Sequence, residues 1–308
     1  MNAQIVTHGG TGSKVSQRDG CIAAVKAGLE RLTGGDDALA AVIAAVSVLE
    51  ADGRFNAGRG ALLGMDGRTM SCDASVMDSR GKLGAVANLL EVPHPVQVAR
   101  RVADTPHHLL VGAGALEFAK KLGLHSPFPP TESALAEYRE QVDELRKSPQ
   151  QTSGDAEDSE GDDGKAAIRQ FWNFPGSWQA AADAAAHATV GAVARDGQGG
   201  FAAAVSTGGS MPALLGRVAD SPLIGCGFYA GEAGAIACTG IGEHILRHML
   251  AGRIYAGLER GIPLRTAIEE GMARLPPQVE VGVIAITADD AQVVSRKPMA
   301  SANSAELG

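Results

Sequence analysis

The sequence predicts an α+β fold whose sheets carry helices on their outer faces. Three observations predict it. Apolar residues recur at three- and four-residue spacing in the first fifty positions, period-two alternation in paired runs follows residue 188, and glycine-rich turns punctuate both halves. With 308 residues, 45% of them hydrophobic and 20% charged, the chain can bury a sizeable core and is not disordered as a whole. Aromatics amount to 4%, so Ala, Val, Leu and Ile must build that core, and 40 glycines allow close backbone packing.

In chain order, residues 4–7 read as a short strand running into the turn His8-Gly9-Gly10-Thr11-Gly12. Residues 19–32 and 36–49 carry helical spacing and form a helical hairpin across Gly34-Gly35. A glycine-rich stretch, 53–82, ends in Cys72-Asp73-Ala74-Ser75-Val76-Met77, whose alternation suits a strand. Two prolines flank His94 ahead of a helix at 96–102, and Val111-Gly112-Ala113-Gly114 precedes another that reaches residue 122. From 148 to 166 the composition changes sharply: six of the nine residues from 155 to 163 are acidic, which predicts a solvated, flexible linker. Residues 189–194 and 201–206 form a hairpin about Asp196-Gly197-Gln198-Gly199, and 279–287 with 291–295 repeat that pattern. Helices at 242–250 and 264–275 lie between the hairpins.

The 27 basic residues are outnumbered by 35 acidic ones, giving a net charge of −8, which argues against sequence-independent nucleic-acid binding and for a small-molecule substrate. No run approaches 18 apolar residues and the start lacks a leader pattern, so a cytoplasmic protein without a membrane partner is expected. Cys21, Cys72, Cys226 and Cys238 are widely spaced and read as buried free thiols.

Three motif matches fail on their chemistry. In GGTGSK, Ser13 separates Gly12 from Lys14, so the Walker loop is absent. Gly225-Cys226-Gly227-Phe228-Tyr229-Ala230 fits GxGxxA, but Gly231 and Glu232 follow in place of an apolar helix. His244 and His248 share a helical spacing without the glutamate of HExxH, so no zinc site is predicted.

What remains is a set of threonine and glycine segments: His187-Ala188-Thr189-Val190-Gly191, Ser206-Thr207-Gly208-Gly209, Gly216-Arg217-Val218-Ala219-Asp220-Ser221-Pro222 and Cys238-Thr239-Gly240-Ile241-Gly242. Each alone reads as strand and turn chemistry. Together and in this order they resemble the plant-type L-asparaginase / isoaspartyl peptidase family, N-terminal-nucleophile hydrolases of the threonine type. The first half carries the resemblance too, through His8-Gly9-Gly10-Thr11-Gly12, through Leu49-Glu50 with Phe55-Asn56-Ala57-Gly58-Arg59-Gly60, and through Asp73-Ala74-Ser75-Val76-Met77-Asp78.

The resemblance implies a four-layer αββα sandwich and self-cleavage between Ala188 and Thr189, leaving an α subunit of 1–188 and a β subunit of 189–308 within one shared fold. It implies Thr189 as nucleophile, Thr207 tuning it, an oxyanion site made by the Thr239 hydroxyl and the Gly240 N–H, and Asn56 close by. Arg217 would pair with the substrate α-carboxylate and Asp220 with its α-ammonium, beside Gly240 and Gly242. Independently of the resemblance, Glu232 lies between the charged anchors and Thr239 and reads either as a solvated loop glutamate or as a candidate for selecting dipeptides with a basic second residue. Main-chain carbonyls of Leu49, Glu50, Asp52, Phe55, Ala57 and Arg59 match a loop that holds a structural sodium in some relatives; no other cofactor is implied. A homodimer of αβ units is the implied assembly.

The chemistry is coherent on its own terms. A threonine hydroxyl is a weak nucleophile, and an N-terminal threonine carries its own base, an α-amine that titrates near about 7.7 to 8.0. Before cleavage that nitrogen is an amide and cannot accept a proton, so the uncut chain is silent. Ala188 departs from the glycine usual before the nucleophile, and a Cβ disfavours positive φ by roughly 1 to 2 kcal/mol. The expected activity is isoaspartyl dipeptidase / L-asparaginase. The alternatives are a glycosylasparaginase- or threonine-aspartase-like hydrolase, and an uncleaved, inactive scaffold.

Overall fold

The computed structural model describes residues 2–64, 66–147, 186–211 and 213–307. The expected acidic linker lies outside the described residues. Numbered in chain order, the first half contains β1 (Gln4–Thr11), α1 (Arg18–Thr33), α2 (Ala38–Asp52), β2 (Ser71–Asp78), β3 (Leu83–Leu90), α3 (Pro95–Val102), β4 (Leu109–Val111), α4 (Gly112–Lys121) and α5 (Glu132–Lys147). The second contains β5 (Ala186–His187), β6 (Val190–Arg195), β7 (Phe201–Thr207), β8 (Ser210–Met211), β9 (Phe228–Gly231), β10 (Gly234–Gly240) and α6 (Gly242–His248). It ends with α7 (Leu250–Glu259), α8 (Leu264–Met272), β11 (Val281–Ile286), β12 (Ala291–Ser295) and β13 (Met299–Asn303).

The fold is mixed α/β with two main sheets. The larger has the order β13-β1-β6-β7-β2-β3-β4 and the smaller β12-β11-β10-β9. Strands β6 and β7 are small or apolar at nearly every position and buried along their whole length, as strands covered on both faces must be. Alternate residues serve different cores. Ile5, Ala192, Ala202 and Ala204 pack with residues of α1, α2 and α3, such as Val25, Val42 and Val98. Val6, Val193, Ala203 and Val205 pack instead with Phe228, Ala237 and Ile284 of the smaller sheet. Beyond it, Ile236, Val281 and Val283 pack with Leu250, Ile254 and Ile268 of α7 and α8. Alanine at the β6–β7 positions keeps these layers close, which is how a chain so poor in aromatics fills its interior.

β6 pairs antiparallel with β1 on one side, Thr7 opposite Ala192, and with β7 on the other, Val190 opposite Ser206. Residues on either side of the Ala188–Thr189 bond therefore share one sheet, and cutting that bond leaves these ladders in place.

Most expected elements form, with shifted ends. α2 starts after Asp37, whose Oδ1 accepts the Ala40 N–H at 2.8 Å, and stops at Gly53 in the left-handed region at φ 76°. The single helix expected over 242–250 is corrected: Met249, at φ 49°, separates α6 from α7. Two backbone bonds, Ala251 N–H to the Cys226 carbonyl and Gly252 N–H to the Gly225 carbonyl, pin α7 in its new direction. Its buried stripe of Leu250, Ile254 and Leu258 then faces β10 and β11. Strands β3, β9 and β13 and helix α5 escape the sequence pattern; β13 pairs with β1, nearly the whole chain away.

Candidate active site

Thr189 is the last residue before β6, buried, in the short link from β5. A small cavity opens there, walled by Ala188, Thr189, Thr207, Arg217, Asp220 and Ser221, with Gly240 and Gly242 behind them. Two roomier cavities of about 560 Å³ each lie elsewhere, but neither holds a nucleophile, an oxyanion donor pair and charged anchors together. Chemistry decides the site here, not volume.

The Ala188–Thr189 bond is gripped on both sides. Its carbonyl oxygen accepts from Asn56 Nδ2 at 3.0 Å and from Thr207 Oγ1 at 3.0 Å, while the Thr189 N–H donates to Thr239 Oγ1 at 3.2 Å. The supports are themselves fixed. Asn56 also donates to the Gly209 carbonyl at 2.7 Å and accepts the Leu62 N–H, and Thr207 Oγ1 accepts the Gly209 N–H. Thr239, fully buried on β10, accepts a second N–H from Thr11, the last residue of β1, where the glycine turn bulges the strand. That turn closes on the bond directly: a Cβ on Gly10 would lie 2.8 Å from the Ala188 methyl and 3.1 Å from the Thr189 nitrogen, and φ there is +100°. Only glycine serves.

Among the described residues, Asn88, Glu91 and Met249 are the non-glycine residues at positive φ, so Ala188 carries its Cβ without a left-handed backbone.

Arg217 and Asp220 reach the cavity from the loop after β8. A Cβ on Gly242 would lie 2.6 Å from Asp220 Oδ1 and 3.0 Å from Arg217 Nη2, so the start of α6 can close over both groups only because position 242 is glycine. Gly240, at φ 139°, likewise allows β10 to approach Val281. Glu243 holds Arg217 through Nε and Nη2, both at 2.9 Å. Burial pushes the Asp220 carboxyl up to about 7, against the pull of the Arg217 charge, and Oδ2 has no hydrogen-bond partner.

The sequence missed three residues of this neighbourhood, all inside segments it singled out. Ser221 Oγ stands 3.4 Å from Thr189 Oγ1. Asp73 is buried on β2 opposite Thr207, accepts the Asn88 N–H at 2.7 Å, and is pushed by burial up to about 6. His8 is fully buried; its Nδ1 accepts the Gly10 N–H, and burial lowers it to about 3, so the ring is neutral. No spacing rule marks these three: the partners of Ser221 and Asp73 lie in other elements, and only burial singles out His8.

Glu232 is not brought here. It lines one of the roomier cavities, beside Asp78, Tyr255 and Glu259, so its expected role in choosing substrates lacks a contact with the Thr189 cavity.

The carbonyl loop is folded as a cradle around two glycines. A Cβ on Gly60 would sit 2.9 Å from the Gly53 oxygen and closer to that of Phe55, and one on Gly58 would meet the Glu50 and Pro93 carbonyls. Phe55 and Ala57 each already accept one N–H, from Ala57 and Gly60, leaving a lone pair on each oxygen. Neutral oxygens in such a cradle fit a hard monovalent cation.

The two buried carboxylates set a pH dependence of stability. Both titrate higher in the fold than in the unfolded chain, near about 4, so between pH 4 and pH 7 the folded state holds protons the unfolded state has lost, and stability falls as pH rises. Asp73→Asn keeps an acceptor for the Asn88 N–H and removes the charge. It should raise the melting temperature at pH 8, by the equivalent of about 1 to 3 kcal/mol, with the gain gone by pH 4. Calorimetry at pH 4, 6 and 8 checks this, and an unchanged or lower midpoint at pH 8 contradicts it.

The asparaginase family model matches residues 1–304. The chain belongs to the asparaginase family. Among similar members, an isoaspartyl peptidase of Salmonella typhimurium is 41% identical over 257 residues, 82% of this chain and 75% of that protein. A plant-type L-asparaginase of Pyrococcus horikoshii is 38% identical over 257 residues, 80% of this chain and 76% of its own length. An isoaspartyl peptidase/L-asparaginase of Danio rerio is 34% identical over 284 residues, covering 90% and 82% respectively. Like these family members, the chain is a hydrolase of amide bonds. Among the described residues no helix is long and apolar enough to cross a membrane.

Proposed function

We propose that the chain cuts itself between Ala188 and Thr189 and that the freed Thr189 then hydrolyses β-aspartyl amides, both asparagine and isoaspartyl dipeptides. One observation carries the reading: the Ala188 carbonyl lies between two convergent donors, Asn56 Nδ2 and Thr207 Oγ1, on the bond whose far side bears a threonine hydroxyl. Such a pair is placed for the negative charge that grows on that oxygen when the hydroxyl attacks. The finer architecture we infer is the four-layer αββα sandwich, with 1–188 and 189–308 as its two subunits, paired as a homodimer in the cytoplasm.

Cleavage converts the Thr189 nitrogen from amide to amine, which becomes the base for its own hydroxyl. The hydroxyl then attacks the substrate's side-chain carbonyl, the amine passes the proton to the leaving nitrogen, and water resolves the β-aspartyl ester. Thr239 Oγ1 and the Gly240 N–H receive the oxyanion in this second reaction, while Asn56 and Thr207 hold the site's frame. Arg217 offers the guanidinium edge that Glu243 leaves open to the α-carboxylate, and Asp220, once ionised, pairs with the α-ammonium. Its unpartnered Oδ2 supports that assignment. Both the α-amine and Asp220 must lose a proton, so kcat/KM should climb between about pH 6 and pH 8 and then level. A profile flat across that range removes the pairing of roles.

Intact mass measurement and ammonia release test the whole reading. Two fragments split before Thr189, with turnover of asparagine and β-aspartyl dipeptides, are expected. An intact chain after prolonged incubation leaves the scaffold alternative standing. A structural sodium in the carbonyl cradle belongs to the same proposal: exchanging sodium for choline at constant ionic strength should lower the melting temperature, and an unmoved midpoint removes the ion.

A further inference from the structure

In the uncut chain the Thr189 nitrogen is an amide donating to Thr239 Oγ1, so before the carbonyl is attacked it can neither direct nor accept the hydroxyl proton. Asp220, with its unpartnered Oδ2, is assigned to the substrate α-ammonium, and the other polar side chains around the bond already have partners. Thr207 Oγ1 donates to the Ala188 carbonyl and accepts from Gly209, the Asn56 amide serves two carbonyls, Thr239 Oγ1 accepts two N–H groups, and Arg217 is held by Glu243. One hydroxyl on the wall differs. Ser221 Oγ has Thr189 Oγ1, at 3.4 Å, as its side-chain partner.

Ser221 is also held still. Its carbonyl accepts a 2.7 Å bond from Ser75 Oγ on β2, it is almost fully buried, and it sits in a turn closed by the Leu223 N–H on the Asp220 carbonyl. The separation from Thr189 Oγ1 is longer than the roughly 2.7 to 2.8 Å of a formed hydroxyl pair, and such bonds tighten as the reacting geometry is reached.

We propose that Ser221 is a further catalytic residue, whose hydroxyl accepts a hydrogen bond from Thr189 Oγ1 and so aims the nucleophile's lone pair at the carbonyl carbon. The inference rests on Thr189 being the nucleophile. In self-cleavage the bond from Thr189 Oγ1 to the Ala188 carbonyl carbon forms, the bond from that carbon to the Thr189 nitrogen breaks, and the hydroxyl proton ends on the departing nitrogen. Water then splits the ester into the Ala188 carboxylate and a free Thr189 hydroxyl. Ser221 gains and loses no proton overall. The same aim serves the attack on substrate.

The test compares wild type with Ser221→Ala, Ser221→Cys and Ser221→Thr, following fragment appearance by intact mass and steady-state hydrolysis of a β-aspartyl dipeptide. Ser221→Ala should slow cleavage and lower kcat by about five- to tenfold each, the size of one lost hydrogen bond, with KM within twofold. Ser221→Cys, close in shape but with a sulfur that accepts hydrogen bonds weakly, should fall with it, and Ser221→Thr should recover most of the loss. A purely structural role would move melting temperature and KM, not kcat with rescue by a hydroxyl. If wild type yields a new N-terminal Thr189 while folded Ser221→Ala and Ser221→Cys cleave and turn over at wild-type rates, the inference on Ser221 fails alone. If wild type never cleaves, the reading of Thr189 fails first.

Discussion

Thr189→Ala should remain a single uncut chain and release ammonia from asparagine at background rate, a loss of at least about 10³-fold. The hydroxyls of Thr207, Thr239 and Ser221 stay in place in that variant, yet none of them belongs to the residue whose own backbone nitrogen cleavage would free as an amine. Nothing else in the cavity joins nucleophile and base in one residue. Thr189→Ser keeps both groups and loses only the methyl that narrows χ1, so it should cleave and turn over, more slowly, because its hydroxyl points away for more of the time. Intact mass after purification and coupled ammonia detection read both variants. Two fragments from Thr189→Ala would place the cut under the control of another residue and end the proposal.

Removing either donor from the Ala188 carbonyl should slow self-cleavage by about 10²- to 10³-fold while leaving the fold intact. Thr207→Val is the cleaner variant, since it preserves the branched shape on β7 and deletes one hydroxyl. Asn56→Ala removes more. Its amide also serves the Gly209 carbonyl and its oxygen the Leu62 N–H, so buried partners are orphaned and a stability loss of about 1 to 3 kcal/mol accompanies the slower cut. The two losses should not sum in the double variant, because both donors act on one oxygen. A time course of fragment appearance on denaturing gels, begun from freshly refolded chain, separates the outcomes. Wild-type cleavage in Thr207→Val would show that its hydroxyl does not hold the developing charge.

Local pattern carried a large part of this architecture. The helical hairpin of α1 and α2, the β6–β7 hairpin and β11 with β12 follow from apolar spacing and turn residues close together in the chain. The elements that escaped share one cause. β13 exists because β1 offers it an open edge, and α7 departs from α6 because Met249 turns left-handed and two distant carbonyls, those of Gly225 and Cys226, seize its first N–H groups. The placement of Glu232 shows the converse. Its position between the charged anchors and Thr239 suggested nearness, but the turn from β9 to β10 carries it into a different cavity.

The order of threonines, glycines and paired charges along the chain carried the family resemblance, and through it the expected chemistry: a hydroxyl that needs its own nitrogen, and a zwitterion's two anchors three residues apart. Tertiary structure alone decided which atom faces which. Asn56 lies 132 residues from the carbonyl it holds, and Thr11 lies 228 residues from the Thr239 oxygen it shares with Thr189. Hydrogen bonds act over about 3 Å, whereas sequence patterns report only neighbours along one element. So residue types at a site can be read from the chain, while the grip on a single peptide bond exists only once the sheets have closed around it.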